Sequence, residues 1–166
     1  MPEISNPQEL TNSQQVRLLA ELLLKKRLVL ATAESCTGGL ISAACTDLAG
    51  SSDWFERGFI SYSNAAKTEL LGVKPELLAR FGAVSEEVAQ AMALGALSHS
   101  VAQVALAVTG VAGPGGGSVS KPVGMVCFGF AVPGQVFSAT RHFEGDRSAV
   151  RAASVHYALQ VLLARL

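Results

Sequence analysis

Charge is scarce in this chain, and neither sign is in excess. Only 16% of the residues are charged, and 13 basic side chains balance 13 acidic ones to a formal net charge of zero. A general surface for nucleic acid or for an anionic membrane would need a basic excess. We therefore expect neither nucleic acid nor a membrane as a partner of this protein.

Cysteine and histidine are also sparse, with three residues of each. The cysteines are odd in number and contain no CxxC pair, so they predict neither a disulfide framework nor a zinc site. The histidines are scattered and form no HExxH or comparable ligand pattern. The sequence therefore predicts no metal, and a reduced, cytoplasmic compartment is the default expectation.

Long apolar runs are missing as well. The N-terminus, MPEISNPQEL, lacks the basic and apolar segments of a signal peptide, and no run approaches the roughly 20 residues of a membrane span. The apolar fraction is nevertheless 49% of 166 residues, which is enough for a substantial core. We interpret residues 1–166 as a single domain, with 1–10 as a loose N-terminal arm.

The apolar patterns that are present alternate between strand-like and helix-like segments. Apolar or β-branched runs predict strands at about 28–33, 54–62, 104–109, 123–132 and 136–142. Alternation of strands and helices is typical of a parallel sheet, whereas the last two strands are joined only by Pro133-Gly134 and must form an antiparallel hairpin. The predicted fold class is α/β, a three-layer α/β/α domain with a mixed sheet.

Capping signals and apolar stripes mark the helices. The first helix begins with a capping box from Thr11 to Gln14 and ends in three basic residues at 25–27. Further helices are predicted at about 37–48, 63–72, 85–98 and from 146 onward, with another turn at Pro75. The expected buried side of the last helix consists of Ala152, Val155, Leu159, Leu162 and Leu166.

Four hydrogen-bonding or reactive residues, from Glu34 to Thr37, lie at a predicted strand-to-helix turn. In open α/β sheets, ligands bind outside the carboxyl ends of the strands. The unpaired N–H groups of the following helix, which starts at Gly38-Gly39, would stabilise an anion or an oxyanion there. A helix cap without further function is an equally good interpretation of these residues alone.

Ser35 is a candidate nucleophile, and it needs a base. No histidine lies near it in the expected topology, but a lysine can serve if burial lowers its pKa. Lys67 follows the second strand, so it is expected at the same sheet edge, and Tyr62 ends that strand and could relay a proton. Lys121 is a competing base, and Cys36 is a rival nucleophile. A solvated surface position is the alternative for Lys67.

The segment Gly110–Gly117 contains five glycines in eight residues. It is neither a Walker A motif nor a dinucleotide fingerprint, because it lacks the Gly-Lys-Ser/Thr ending and leads into a strand. Such a loop can turn backbone N–H groups toward a ligand, although a long turn is the simpler alternative.

Arg147 and Arg151 lie four residues apart at the start of the last predicted helix, hence on one face. Cations there oppose the helix dipole, so an anionic partner is expected. That partner is either a ligand phosphate or the neighbouring acids Glu144 and Asp146.

At these residues the chain resembles the CinA C-terminal domain family, whose stand-alone members are nicotinamide-nucleotide amidohydrolases. The motifs that carry the resemblance are TAESCTGG at 32–39, GSS at 50–52, YSNAAK at 62–67, GAVSE at 82–86, VTGVAGP at 108–114, KPVG at 121–124 and GDR at 145–147. They occur in order and cover nearly the whole chain after the first helix.

The resemblance implies a mixed, mostly parallel five-stranded sheet. It also implies hydrolysis of the carboxamide of nicotinamide mononucleotide to nicotinate mononucleotide and ammonia, without a cofactor, in pyridine nucleotide recycling. The implied catalytic residues are Ser35, Lys67 and Tyr62. With the helix start and the glycine-rich loop, the predicted substrate-binding residues are Thr37, Gly38, Gly39, Ser51, Thr109, Gly110, Gly113 and Arg147.

Two other classes of function stay open at this point. One is a catalytically silent nucleotide-binding regulatory module. The other is an interaction module linked to competence or the DNA damage response, which the neutral charge does not favour. A monomer and a homo-oligomer are both compatible with the sequence.

Overall fold

The computed structural model describes residues 10–166. The predicted arm at 1–10 therefore lies outside the described residues, except for the exposed Leu10. The helices are α1 (Asn12–Lys26), α2 (Leu40–Thr46), α3 (Asn64–Leu71), α4 (Pro75–Phe81), α5 (Glu86–Ser98) and α6 (Arg147–Arg165). The strands are β1 (Leu30–Glu34), β2 (Phe55–Ile60), β3 (Val104–Gly110), β4 (Met125–Val132) and β5 (Gln135–His142), and a 3-10 turn, Ser51–Asp53, precedes β2.

The five strands form one mixed sheet in the order β2-β1-β3-β4-β5. Strand β1 pairs in parallel with β2 and β3, whereas β4 pairs antiparallel with β3 and β5. The prediction of a mixed five-stranded α/β sheet is confirmed. The pairings are divided evenly, so "mostly parallel" overstates them. The reason is that β4 runs opposite to both of its neighbours, and its exit through the two-residue Pro133-Gly134 hairpin requires an antiparallel partner.

Helices cover both faces of this sheet. Because successive side chains of a strand point to opposite faces, β1 and β3 send their larger residues one way and their alanines the other. Leu30 and Leu106 pack with α1, α2 and α6, whereas Ala31 and Ala105 pack with α3, α4 and α5. On the alanine face, α5 approaches so closely that a Cβ at Gly129 would collide with the Ala89 carbonyl.

The predicted helix starts agree with the structure where a side chain caps the helix. Thr11 forms both hydrogen bonds of the capping box with Gln14. Ser63, Ser85 and Asp146 each accept a hydrogen bond from the backbone of their own helix. These interactions span three residues, so the local sequence is sufficient to specify them.

Two helix predictions were wrong in detail. Helix α2 begins at Leu40 and not at Thr37, because Gly38 and Gly39 have φ angles of 57° and 104°, which a right-handed helix does not contain. Ala152 is exposed on α6, whose buried side is Val150, Ser154, Val155, Ala158, Leu159 and Leu162.

Within residues 10–166, no helix has the length and apolar character that crossing a membrane requires.

Candidate active site

The parallel pairing of β1 with β2 brings two chain segments together at the carboxyl edge of the sheet. Glu34 pairs with Ile60, and the Ser61 N–H donates to the Glu34 carbonyl at 2.9 Å. On its other side, the Ser35 N–H donates to the Val108 carbonyl of β3 at 3.0 Å. Ser35 is thus fixed between two neighbouring strands, with 8% of its surface exposed.

Lys67 reaches Ser35 from the first turns of α3. Its Nζ atom lies 3.0 Å from Ser35 Oγ, 3.1 Å from the Ser61 carbonyl oxygen and 3.2 Å from the Tyr62 carbonyl oxygen. The side chain is only 1% exposed, so the alternative of a solvated surface lysine does not apply. The three partners are a hydroxyl and two carbonyl oxygens, none of which carries a charge.

These surroundings determine the protonation of Lys67. Burial lowers the pKa of Lys67 from its ordinary value of 10.5, because a buried ammonium loses its hydration. A thiolate at Cys36 would oppose this effect, but burial raises the pKa of the Cys36 thiol to about 11. Near neutral pH, Cys36 is therefore a neutral thiol, and Lys67 releases its proton more easily than an ordinary lysine.

The two other candidates for nucleophile and base are placed unfavourably. The Cys36 thiol is 5% exposed and, with its raised pKa, is a poor source of the reactive thiolate. The ammonium of Lys121 donates to the Phe81 carbonyl at the end of α4. The hydrogen bond of Ser35 with Lys67 distinguishes this pair from both.

The start of α2 differs from the expected oxyanion site. The buried carboxylate of Glu34 accepts hydrogen bonds from the N–H groups of Ile41 and Ser42, and from the hydroxyls of Thr37 and Ser42, at 2.7–3.0 Å. The Gly38 N–H donates to the Ser35 carbonyl. The N–H groups at the start of α2 therefore bind the Glu34 carboxylate and are not available to an oxyanion of a substrate. The interpretation as a helix cap applies to Glu34 and Thr37.

A cavity of about 200 Å³ opens beside Ser35. Six of the residues that line it were predicted as site residues from the sequence: Ser35, Tyr62, Lys67, Thr109, Gly110 and Arg147. Cys36 also lines it, together with four residues that were not predicted: Asn64, Ala83, Val84 and Ala112. Asn64 is the first residue of α3, one helical turn before Lys67, and this position was a signal that could have identified it.

The glycine-rich loop and the end of β3 form one wall of this cavity. The Thr109 hydroxyl donates to the Ala83 carbonyl at 2.9 Å, which ties β3 to the segment before α5. Gly113, whose φ is 83°, accepts a hydrogen bond from Arg147 through its carbonyl at 2.8 Å. Gly113 itself, which was predicted to bind the substrate, is not among the residues that line the cavity, and its carbonyl is occupied by Arg147.

Some predicted substrate-binding residues lie away from the cavity. Ser51 is in the turn before β2, at the opposite edge of the sheet from Ser35, because parallel strands begin at one edge and end at the other. A Cβ at Gly39 would contact the Ile60 side chain, and one at Gly38 would contact Arg151. Like Thr37, whose hydroxyl is bound to Glu34, these two glycines support the turn.

Among residues 10–166, Arg147 and Arg151 have no acidic partner. Arg147 donates to the Gly113 carbonyl and, at 3.1 Å, to the Tyr62 hydroxyl, while the Asp146 carboxylate caps α6 through the Ala149 N–H. Within residues 10–166, the ion pair observed is Arg57–Glu56. The interpretation of these arginines as partners of Glu144 and Asp146 was wrong, since the acid at the helix start is used as its cap.

Comparison with known proteins identifies relatives over most of the chain. The family described as "CinA C-terminal domain" matches residues 12–166. A protein of Enterobacter agglomerans named "Nicotinamide-nucleotide amidohydrolase PncC" is 58% identical over 132 residues, 79% of this chain and 80% of that protein. A protein of the same name from Escherichia coli is 48% identical over 157 residues, 92% of this chain and 95% of its own length.

A solved structure supports the same relationship. The competence/damage inducible protein CihA from Agrobacterium tumefaciens superposes with a TM-score of 0.89 and 46% sequence identity. The superposition covers 92% of this chain and 94% of that one.

Within the described part of the chain, no group of three or more His, Cys, Asp or Glu side chains is arranged to hold a metal ion.

Proposed function

The chain belongs to the CinA C-terminal domain family, and we propose that it is a nicotinamide-nucleotide amidohydrolase. The proposed reaction converts nicotinamide mononucleotide and water to nicotinate mononucleotide and ammonia. The observation that carries the proposal is the hydrogen bond of 3.0 Å between Ser35 and the buried Lys67. Relatives named for this activity are 48% and 58% identical to the chain, which supports the choice of substrate.

In the proposed first step, neutral Lys67 accepts the proton of Ser35. A neutral amine has two N–H donors and one lone pair. When the two donors bind the carbonyls of Ser61 and Tyr62, the lone pair is left for the Ser35 hydroxyl. The Ser35 oxygen then bonds to the carboxamide carbon and forms a tetrahedral oxyanion. The new ammonium of Lys67, on a buried side chain, would lie beside this oxyanion and stabilise it.

The C–N bond breaks in the second step, and the leaving nitrogen takes up a proton to depart as ammonia. Lys67 holds the proton that it took from Ser35 and can return it here. Tyr62 is the second candidate donor, because its hydroxyl accepts from Arg147 and so keeps its own O–H for the substrate. Water then attacks the acyl carbon while Lys67 takes one of its protons, the bond between the acyl carbon and Ser35 Oγ breaks, and Lys67 returns that proton to Ser35 Oγ.

We assign the recognition of the nucleotide to the other side of the cavity. Arg147 lines it, has a full positive charge and is hydrogen-bonded in the described structure only to neutral oxygens. A phosphate would be a stronger acceptor than either of these oxygens. Thr109 and Gly110, which also line the cavity, complete the part of the wall that the nucleotide would contact.

Release of ammonia from nicotinamide mononucleotide tests the proposal, with Ser35→Ala as the control for contaminating activity. Release by the wild type that is absent in Ser35→Ala is the expected result. Binding of the nucleotide without turnover would support the silent regulatory module instead. Absence of both binding and turnover would leave the interaction module as the better interpretation.

A further inference from the structure

A second and larger cavity adjoins the one beside Ser35. It has a volume of about 670 Å³ and lies between the glycine-rich loop and the start of α6. Pro114 and Val123 form its loop side, and Arg147 and Arg151 form its helix side. Ala112 and Arg147 line both cavities, so the two are contiguous at these residues. A single ligand can therefore occupy both.

The second cavity contains two cationic side chains that are bound only to neutral acceptors. Arg151 donates through Nε to the Cys36 carbonyl at 3.1 Å and through Nη2 to the Thr37 carbonyl at 3.2 Å. Arg147 likewise donates to two neutral oxygens. A guanidinium has five N–H donors, so three on each arginine are available in the described structure.

The charge of the cavity is therefore positive on its helix side. The one acid in its lining is Asp146, whose carboxylate is engaged with the Ala149 N–H as the cap of α6. Neither arginine forms an ion pair within the described residues, where the pair observed is Arg57–Glu56. Two guanidinium groups four residues apart on one helix face match the several oxygens of a phosphate group.

Arg151 differs from Arg147 in what it holds. Its two acceptors are the carbonyls of Cys36 and Thr37, the residues that directly follow the nucleophile. These carbonyls lie in the turn between β1 and α2, where Gly38 and Gly39 adopt positive φ angles. A group that fixes Arg151 therefore also fixes the turn that carries Ser35.

We infer that the second cavity binds the phosphate monoester of the substrate and that Arg151 is a positioning residue, which couples phosphate binding to the placement of Ser35. The inference rests on the proposed function for the identity of the substrate. It goes beyond a contact for affinity, because it predicts that an occupied phosphate site accelerates the chemical step. Binding energy from a remote part of the substrate is then used at the reacting centre.

Nicotinamide riboside, which lacks the phosphate, tests this coupling when free phosphite dianion is added as the missing piece. The expected wild-type result is a slow reaction with the riboside that phosphite accelerates, roughly ten- to a hundredfold at saturation. In Arg151→Met, the acceleration by phosphite should vanish, and kcat for the mononucleotide should fall by a similar factor. The readout is the ratio of the riboside rates with and without phosphite, because a loss of support for the turn slows both reactions equally and leaves this ratio unchanged.

Arg165→Met is the matched control, since it removes a guanidinium from the far end of the same helix, where Arg165 lies over the Phe137 ring. It should keep the phosphite acceleration. Arg151→Lys, which keeps the charge, covers the case in which Arg151→Met fails to fold. The lysine variant should bind the phosphate but lose most of the acceleration, because one ammonium cannot hold both carbonyls and the anion in the same geometry.

An equal loss of activity with riboside and mononucleotide in a folded Arg151 variant would overturn the inference, since Arg151 would then only support the turn. Full phosphite acceleration in Arg151→Met would overturn it as well. If the wild type releases no ammonia from the mononucleotide, the proposed function fails, and calorimetry decides the inference separately. In that case, the affinities for nicotinate mononucleotide and nicotinate riboside are compared. If the wild type binds the mononucleotide more tightly and Arg151→Met does not, the phosphate site is supported. If the preference is the same in both proteins, the phosphate site is refuted.

Discussion

Ser35 and Lys67 are 32 residues apart in the chain, yet their Oγ and Nζ atoms lie 3.0 Å apart in a site with almost no exposed surface. The amine is surrounded by neutral oxygens, and its pKa is lowered by burial. In most proteins, a buried lysine without an acid is a cost to stability. In the proposed mechanism, the same arrangement makes the amine a usable base.

Removal of the nucleophile should separate chemistry from binding. We expect Ser35→Ala to lose turnover by roughly 10⁴-fold or more, with nucleotide binding largely kept, because only the covalent step is deleted. Ammonia release and calorimetric binding measure the two effects. Cys36→Ala is the matched control at the next residue and should remain active. Inactivation by the Cys36 change alone, in a folded protein, would transfer the nucleophile to the thiol.

The pH dependence of activity should reflect the lowered pKa of Lys67. The base acts when deprotonated, so kcat/KM should rise with pH through a limb centred below the ordinary lysine value of 10.5. Lys67→Arg should be inactive at every accessible pH, because a guanidinium does not release its proton. A substantially active Lys67→Arg enzyme would rule out lysine as the proton acceptor.

The same shift predicts how stability depends on pH. A lysine with a lowered pKa in the folded state binds fewer protons there than in the unfolded state, and stability then rises with pH. Between the folded-state pKa and 10.5, the free energy of unfolding of the wild type should increase relative to that of Lys67→Met. Chemical denaturation of both proteins across this window measures the difference. A constant difference would mean that burial does not shift this lysine.

Arg147 should contribute to the affinity for the phosphate. We expect Arg147→Ala to weaken the binding of the mononucleotide by about 1.5–3 kcal/mol, the value of one charge-assisted hydrogen bond. The binding of the riboside should change little. Because Arg147 also donates to the Tyr62 hydroxyl, Tyr62→Phe serves as the control for loss of that contact, and Kd is compared because the proton donation proposed for Tyr62 acts on kcat. The two changes, Arg147→Ala in the protein and loss of the phosphate in the substrate, form a double-mutant-style cycle. The Kd values of its four combinations give the coupling between Arg147 and the phosphate. Purely additive losses would place the phosphate elsewhere, most simply on the glycine-rich loop.

Glu34 should be important for stability because it organises the start of α2. Its carboxylate accepts four hydrogen bonds and is fully buried. In Glu34→Gln, the amide NH2 would replace one of the two acceptor oxygens and would face the N–H group of either Ile41 or Ser42, so we expect a loss of roughly 1.5–3 kcal/mol in the free energy of unfolding. Urea denaturation measures it, and Glu21→Gln on the exposed face of α1 is the control. A change equal to that of Glu21→Gln would contradict the role of Glu34 as a cap.

The elements of the fold that the sequence predicted well depend on short-range interactions. The capping residues Thr11, Ser63 and Asp146 bind N–H groups three residues away, and these pairs are visible in the sequence. The hairpin at Pro133-Gly134 follows from the length of its connection. The start of α2 was predicted too early because the two glycines permit a helix without requiring one, and it is Glu34 that holds the N–H groups of Ile41 and Ser42.

The sequence by itself determined the strands, the capped helices and the residues that could take part in chemistry. Only the tertiary structure decided which of them lie together: it buried Lys67 against Ser35, placed Ser51 at the opposite sheet edge and, within residues 10–166, left Arg147 and Arg151 without an acidic partner. The physical reason is the range of the interactions. A cap or a hairpin depends on neighbours within a few residues, whereas the pKa of a lysine and the partner of an arginine depend on which distant segments exclude water from them.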